Sequence, residues 1–316
     1  MIVEFLEVAI GQIPLFYQQT LFLFALIGAG IGGYIDLKTT EIPDLVPISM
    51  AAVGLIIHGY LAYSLSSINY MIWPVAVALG FLLFGYALYY AGQWGEADVL
   101  LLAAVGFLVP YPFLFFAANT LQFAWPFLYL VNTFIVGGAY SLIYAGILSY
   151  NTKGFTKRYF DDVKSHTKEL KKIIAASAFG FLVLLLIIFR IFSVSAVRAK
   201  EMIETQILVF VLFVIVIFFF YRFAFVVDNF CFRKKVRVDD LKEGDVLAED
   251  MVIGKAKYSS KLFIGLEKTD IEKIIKANPK KQVWIKEGIR YGPTFFITLV
   301  TMWLFGDVLF LIMGIM

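Results

Sequence analysis

Asp36 and Asp98 are the two residues whose type and placement suit them to act together on one bond. Asp36 closes a long apolar segment running from Leu15 to Ile35, and Asp98 opens another that begins at Val99. An ionisable group held at a membrane boundary is costly, which makes it a functional candidate from the start. Two carboxylates that meet there share one proton, because both cannot ionise at close range. The ionised one can take a proton from water while the protonated one polarises a carbonyl, the division of labour of an aspartic protease. Either aspartate alone reads equally as a solvated boundary residue, or for Asp98 as a helix cap. The two together, at matching depth with two apolar spans between them, favour the chemistry.

The flanking residues fit that use. Pro43 and Pro47 keep the connection after Asp36 from being helix throughout and bias it toward a tight re-entry. Gly92, Gly95 and Ala97 remove bulk ahead of Asp98, so that backbone or substrate can come close. Glu41, Asp44 and Glu96 are further acids beside the pair, able to hold a basic substrate group but equally readable as ordinary loop acids.

Membrane helices must position these groups. The chain is 61% hydrophobic and 16% charged over 316 residues, with 33 Phe, more apolar surface than one soluble core can hide. The fold class is therefore an all-α polytopic membrane protein. About 20 apolar residues cross the hydrocarbon layer, which gives eight spans, near 15–35, 45–65, 70–91, 99–118, 124–148, 173–193, 206–227 and 293–315. The segment 1–13 is expected to lie along the interface before Pro14, and with no basic residue before Lys38 the first span reads as a retained helix. Lys and Arg collect in 149–172 and 228–292, whereas 66–69 and 119–123 are uncharged. The loop 194–205 is neutral on the question. This asymmetry predicts an external N-terminus, with both aspartates facing the cytoplasm across the cell membrane. The single cysteine, Cys231, excludes an internal disulfide and a multi-cysteine zinc site.

Four regions follow: a catalytic membrane core at 1–150, a basic loop and two helices at 151–227, a small soluble cytoplasmic α+β insert at 228–292 and a last membrane helix at 293–316. Within the insert, short strands are expected from Val236 to Val252 around Glu243-Gly244-Asp245, a helix from Thr269 to Ala277 with Thr269 as its cap, and a strand at Gln282 to Lys286.

Asp36 followed by Ile42-Pro43-Asp44 resembles the first aspartate motif of the type IV prepilin peptidase and archaeal preflagellin peptidase family. Gly92-Gln93-Trp94-Gly95-Glu96-Ala97-Asp98 resembles its second motif, G-x-G-D, with Ala97 in place of the last glycine. The resemblance covers about 15–150 and extends faintly through the insert to Gly288-Ile-Arg-Tyr-Gly-Pro293, as in the longer archaeal prepilin peptidases. It implies cleavage of class III signal peptides from prepilins or prearchaellins at the cytoplasmic face, with Asp36 and Asp98 as the catalytic pair and Glu41, Pro43, Asp44, Gly92, Gly95, Glu96 and Ala97 in support. It implies no metal or organic cofactor; the expected partners are the precursor substrates and the lipid bilayer, with no nucleic acid and the oligomeric state left open. With one cysteine and no cysteine tetrad, peptidase activity alone is expected, without the methyl transfer of many bacterial members.

Two alternatives remain. A presenilin-like intramembrane protease also uses G-x-G-D, but Tyr34-Ile35-Asp36 lacks its Tyr-Asp adjacency. A secondary transporter would use Asp36 and Asp98 for ion coupling, but would be expected to hold them near the midplane. His58 reads as a helix–helix hydrogen-bonding residue, Arg190 and Asp307 as structural, Arg222 as reaching the inner interface and the 149–172 loop as an anchor on anionic lipid.

Overall fold

The computed structural model describes residues 13–111, 125–191, 196–253, 256–258, 265–277 and 282–313. The expected interfacial segment 1–13 lies almost wholly outside them, as do the uncharged loop 119–123 and the far end of the span read at 99–118. The described residues fall into two compact units, one drawn from 1–143, 237–281 and 288–316, the other from 144–236 and 282–287.

In the first unit, α1 (Leu15–Thr39) starts directly after Pro14 and ends where Thr40 turns left-handed at φ 64°. The helices α2 (Leu45–Ser64) and α3 (Asn69–Tyr90) follow, and Gly92, at φ 70°, makes the turn into α4 (Glu96–Leu108). That φ is where glycine carries no steric cost. Helix α4 packs against α1, α2 and α3, and Val99 and every residue from Leu101 to Leu108 are buried. Glycines let it in: a Cβ on Gly85 would lie 2.6 Å from Val99 Cγ1, one on Gly106 2.4 Å from Phe81 Cδ2, and one on Gly54 2.8 Å from Phe107 Cδ1. Close approach at small residues is how membrane helices gain packing without a hydrophobic drive.

At about 20 Å, α4 is too short to cross the layer. It stops at Val109, before Pro110, which removes the α region from the residue ahead of it. The exposed end of its ladder is satisfied by three other side chains. His58 Nε2 lies 2.8 Å from the Phe107 carbonyl, Trp125 Nε1 donates to Val109 O at 3.0 Å and Trp73 Nε1 to Pro110 O at 3.1 Å. The expected helix–helix role of His58 is thus observed. Replacing it with Phe leaves a buried carbonyl unpaired; stability should fall by about 1–3 kcal/mol in denaturant titration. Turnover of a substrate should not change, and a stability loss below about 0.5 kcal/mol would mean that water or a shifted side chain takes its place.

Helix α5 (Trp125–Asn151) closes the unit beside α10 (Pro293–Phe305) and α11 (Val308–Met313). The single last span read at 293–315 is therefore two helices, broken at Gly306 (φ 77°) and Asp307. Asn132 of α5 accepts the N–H of Val308 at 2.8 Å, which satisfies the start of α11 inside the bundle. Asp307 is fully buried at this break.

The second unit holds the end of α5, then α6 (Phe155–Ser165), α7 (Thr167–Ile191) and α8 (Ala196–Val226), the last continuing as a π-helical turn over Val227–Cys231. The basic loop 149–172 is thus mostly helix, with Phe155 and Val163 of α6 buried. Arg222, expected to reach the inner interface, is buried and makes a two-pronged bond to Asp162 of α6, at 2.6 and 2.5 Å. Arg190 is exposed on α7. Among the described residues six helices are long and apolar enough to cross a membrane, Leu15–Thr39, Leu45–Ser64, Asn69–Tyr90, Trp125–Asn151, Thr167–Ile191 and Thr205–Cys231; α4 and the α10–α11 pair account for the difference from the eight spans expected.

Strands β1 (Arg233–Arg237), β2 (Val246–Leu247), β3 (Met251–Ile253) and β4 (Ala256–Tyr258), the helix α9 (Lys268–Ala277) and β5 (Gln282–Lys286) make up the insert. β3 and β4 pair antiparallel with Val252 opposite Lys257, and β1 and β5 are hydrogen-bonded neighbours. Gly244 turns at φ 90° as expected, and β5 has the bounds read from sequence. Thr269 sits inside the first turn of α9 rather than capping it; the N–H groups of Asp270 and Ile271 go to the Glu267 carbonyl.

Candidate active site

Asp36 occupies the last turn of α1 and Asp98 the first turn of α4. The bundle brings the two carboxylates within electrostatic reach of each other. Asp36 is only 6% exposed, while Asp98 is partly open, so one acid is held in protein and its neighbour borders the outside. Asp98 Oδ2 accepts the N–H of Gly95 at 3.2 Å, closing the helix start from the third helical position. Asp98 is thus not the N-cap itself, which is Gly95, but closes on it from within the first turn.

The supporting residues separate by position. Gly92 makes the turn, and Ala97 packs its methyl against the buried cluster around α4, so the departure from glycine there fills space rather than blocking it. A Cβ on Gly95 would meet only Asp98 Oδ2, at an ordinary 3.4 Å. Pro43 and Asp44 are exposed in the turn between α1 and α2, where Val46 N donates to the Pro43 carbonyl at 2.9 Å. Glu41, also exposed, pairs with Lys242 at 3.4 Å, and Glu96 accepts the hydroxyl of Tyr86 at 3.3 Å.

Trp94, inside the second motif, stands in an aromatic group. Its ring is 5.8 Å from Phe134 and stacked on it, 5.4 Å from Tyr291 and 5.7 Å edge-on to Phe295. Tyr291 in turn lies within electrostatic reach of Asp98, and Arg290 within that of Asp36. The backbone N–H of Gly292 donates to Asp36 Oδ2 at 2.8 Å. These three residues were not singled out as site residues from sequence. The signal was the tract Gly288-Ile-Arg-Tyr-Gly-Pro293 ahead of the last apolar run, but nothing local in it points to Asp36, 256 positions away. Among the described residues no group of three or more His, Cys, Asp or Glu side chains is placed to hold a metal ion.

Residues 21–142 match the model of the type IV leader peptidase family. This segment is similar to the type IV leader peptidase family. The matched stretch contains Asp36, Asp98 and all of α2, α3 and α4, so the leader peptidase segment is the part of the chain in which the two carboxylates are brought together. The insert and the Arg290–Gly292 tract lie beyond it. No curated protein and no solved structure matches the chain.

Proposed function

We propose that the protein is an aspartic endopeptidase of the cell membrane that removes class III signal peptides from prepilins or prearchaellins at the cytoplasmic face. The observation that supports this reading is that Asp36 and Asp98, both in the leader peptidase segment, lie within electrostatic reach of one another, Asp36 buried and Asp98 half-buried. In the reaction the ionised carboxylate takes a proton from water, whose oxygen attacks the scissile carbonyl. The protonated carboxyl gives its proton to the carbonyl oxygen. On collapse of the tetrahedral intermediate the C–N bond breaks, the departing amine takes the proton that the first carboxylate took from water, and the second carboxylate regains one from a hydroxyl of the intermediate. The orientation rests on the basic residues of 149–172 and 228–292, which favour the cytoplasmic side.

The test is cleavage of membrane-embedded prepilin and prearchaellin precursors by the reconstituted protein, with the new N-terminus read by mass spectrometry. Cutting just before the hydrophobic stretch of either precursor supports the proposal. A folded, inserted protein that cuts neither precursor removes it.

Asp44 and Glu96 are the exposed acids proposed to meet the basic residue ahead of the cut. Exchange of either for its amide should raise KM for such a leader about two- to fivefold and leave kcat alone, the weight of one exposed ion pair. A leader with a neutral residue at that position should show no such difference. An equal rise for both leaders would assign these acids to the loop structure instead.

A further inference from the structure

We infer that Arg290, Tyr291 and Gly292 form a third, positioning part of the active site, which orients the Asp36 carboxylate and sets the turnover of the peptidase. This deepens the aspartic peptidase reading and rests on it.

The argument begins with the single bond from Gly292 N–H to Asp36 Oδ2, made in buried surroundings at 2.8 Å. Such a bond to a carboxylate fixes which of its oxygens faces which way. The surroundings are arranged for that bond and no other. A Cβ on Gly292 would lie 2.9 Å from Asp36 Oδ2 and 3.0 Å from its Cβ. A Cβ on Gly33, three residues before Asp36, would lie 2.8 Å from Pro293 Cα. Close approach therefore requires glycine at this point.

The donor is also clamped. The Arg290 guanidinium donates to the Leu37 carbonyl at the open end of α1, where helix carbonyls have no partner of their own. From α5, the Tyr140 hydroxyl donates to the Arg290 carbonyl at 2.8 Å. The Tyr291 hydroxyl donates to the Thr133 carbonyl at 3.1 Å, and a Cβ on Gly137 would lie 1.9 Å from that hydroxyl oxygen. The tract is thus tied to α1, which carries Asp36, and to α5. A buried acid needs some partner merely to be tolerated. A partner held from two helices through three further bonds holds direction as well. Reacting groups must sit within a fraction of an ångström, and a displacement of about 1 Å costs on the order of a hundredfold in rate.

The experiment compares Gly292→Ala with Gly288→Ala, whose Cβ would meet nothing within 4 Å. Gly292→Ala should lower kcat about a hundredfold with KM for the leader unchanged, while Gly288→Ala should match the wild type. Arg290→Leu should also lose kcat, and Arg290→Lys, which keeps a donor for Leu37, should recover most of it. If Gly292→Ala does not fold, the Arg290 pair decides. Equal kcat for Gly292→Ala and Gly288→Ala, or a loss carried by KM, overturns the inference while leaving the peptidase reading intact. If the wild type cuts no leader, the peptidase reading falls and amide exchange decides the clamp. In that case the Gly292 amide should be slow to exchange in the wild type and about tenfold faster in Asp36→Ala; equal rates overturn it.

Discussion

Asp36→Asn and Asp98→Asn should each reduce cleavage of a membrane-embedded leader by about 10⁴-fold or more, and the double variant should be no slower than either. The asparagine side chain has the volume of the acid and keeps one carbonyl oxygen. Gly292 N–H retains an acceptor at position 36, and Gly95 N–H retains one at position 98. What disappears is the proton exchanged between two carboxylates, so the fold should survive while the chemistry stops. Groups that act as one unit are not additive: the first substitution removes the shared proton, and the second has nothing left to remove. Single-turnover cleavage of all three variants, with thermal unfolding measured in parallel, checks this. Either single variant retaining a hundredth of the activity, or a double variant well below both singles, would show that the two acids act separately. In that case the paired mechanism is wrong even if cleavage itself is real.

The second large effect concerns stability. Asp162→Ala should destabilise the protein by about 3 kcal/mol, because it leaves the Arg222 guanidinium without its counter-ion. Both side chains are well buried, at 8% and 16% exposure, and the bond has two prongs at 2.6 and 2.5 Å. Arg222 also lies over the Phe225 ring, 4.6 Å from its centroid, which cannot replace a carboxylate. The double change Asp162→Leu with Arg222→Met should regain most of the loss, because a buried ion pair is often no more stable than apolar groups of similar size. Unfolding in a denaturing detergent series reads both variants. An arginine reaching to water, as its sequence position suggested, would make Asp162→Ala nearly silent and leave the double variant with nothing to recover.

That arginine shows where sequence reasoning stops. Arg222 was legible as a cation near a helix end, but Asp162 is 60 positions earlier in a stretch that reads as a plain basic loop. Asp36, Asp98 and the long apolar helices were legible because composition and spacing are local. His58 was legible because a lone histidine in a span needs a hydrogen-bonding neighbour. Helix α4 was overextended for a physical reason: its residues are apolar because protein surrounds them, and hydropathy does not distinguish burial in protein from burial in lipid. The break at Gly306 and Asp307 did carry a signal, a glycine and an acid inside an apolar run, although length alone allowed a full span. The role of Gly292 had no such trace, since a glycine beside a proline is a turn signal anywhere.

The bond between Gly292 and Asp36 also imposes an order on the making of the protein. Asp36 is made 256 residues before Gly292, whose N–H it accepts. On the peptidase reading, a nascent chain already carrying both acids lacks the donor to Asp36 until the Arg290–Gly292 tract docks. A chain stopped ahead of residue 288 would leave Asp36 without that donor.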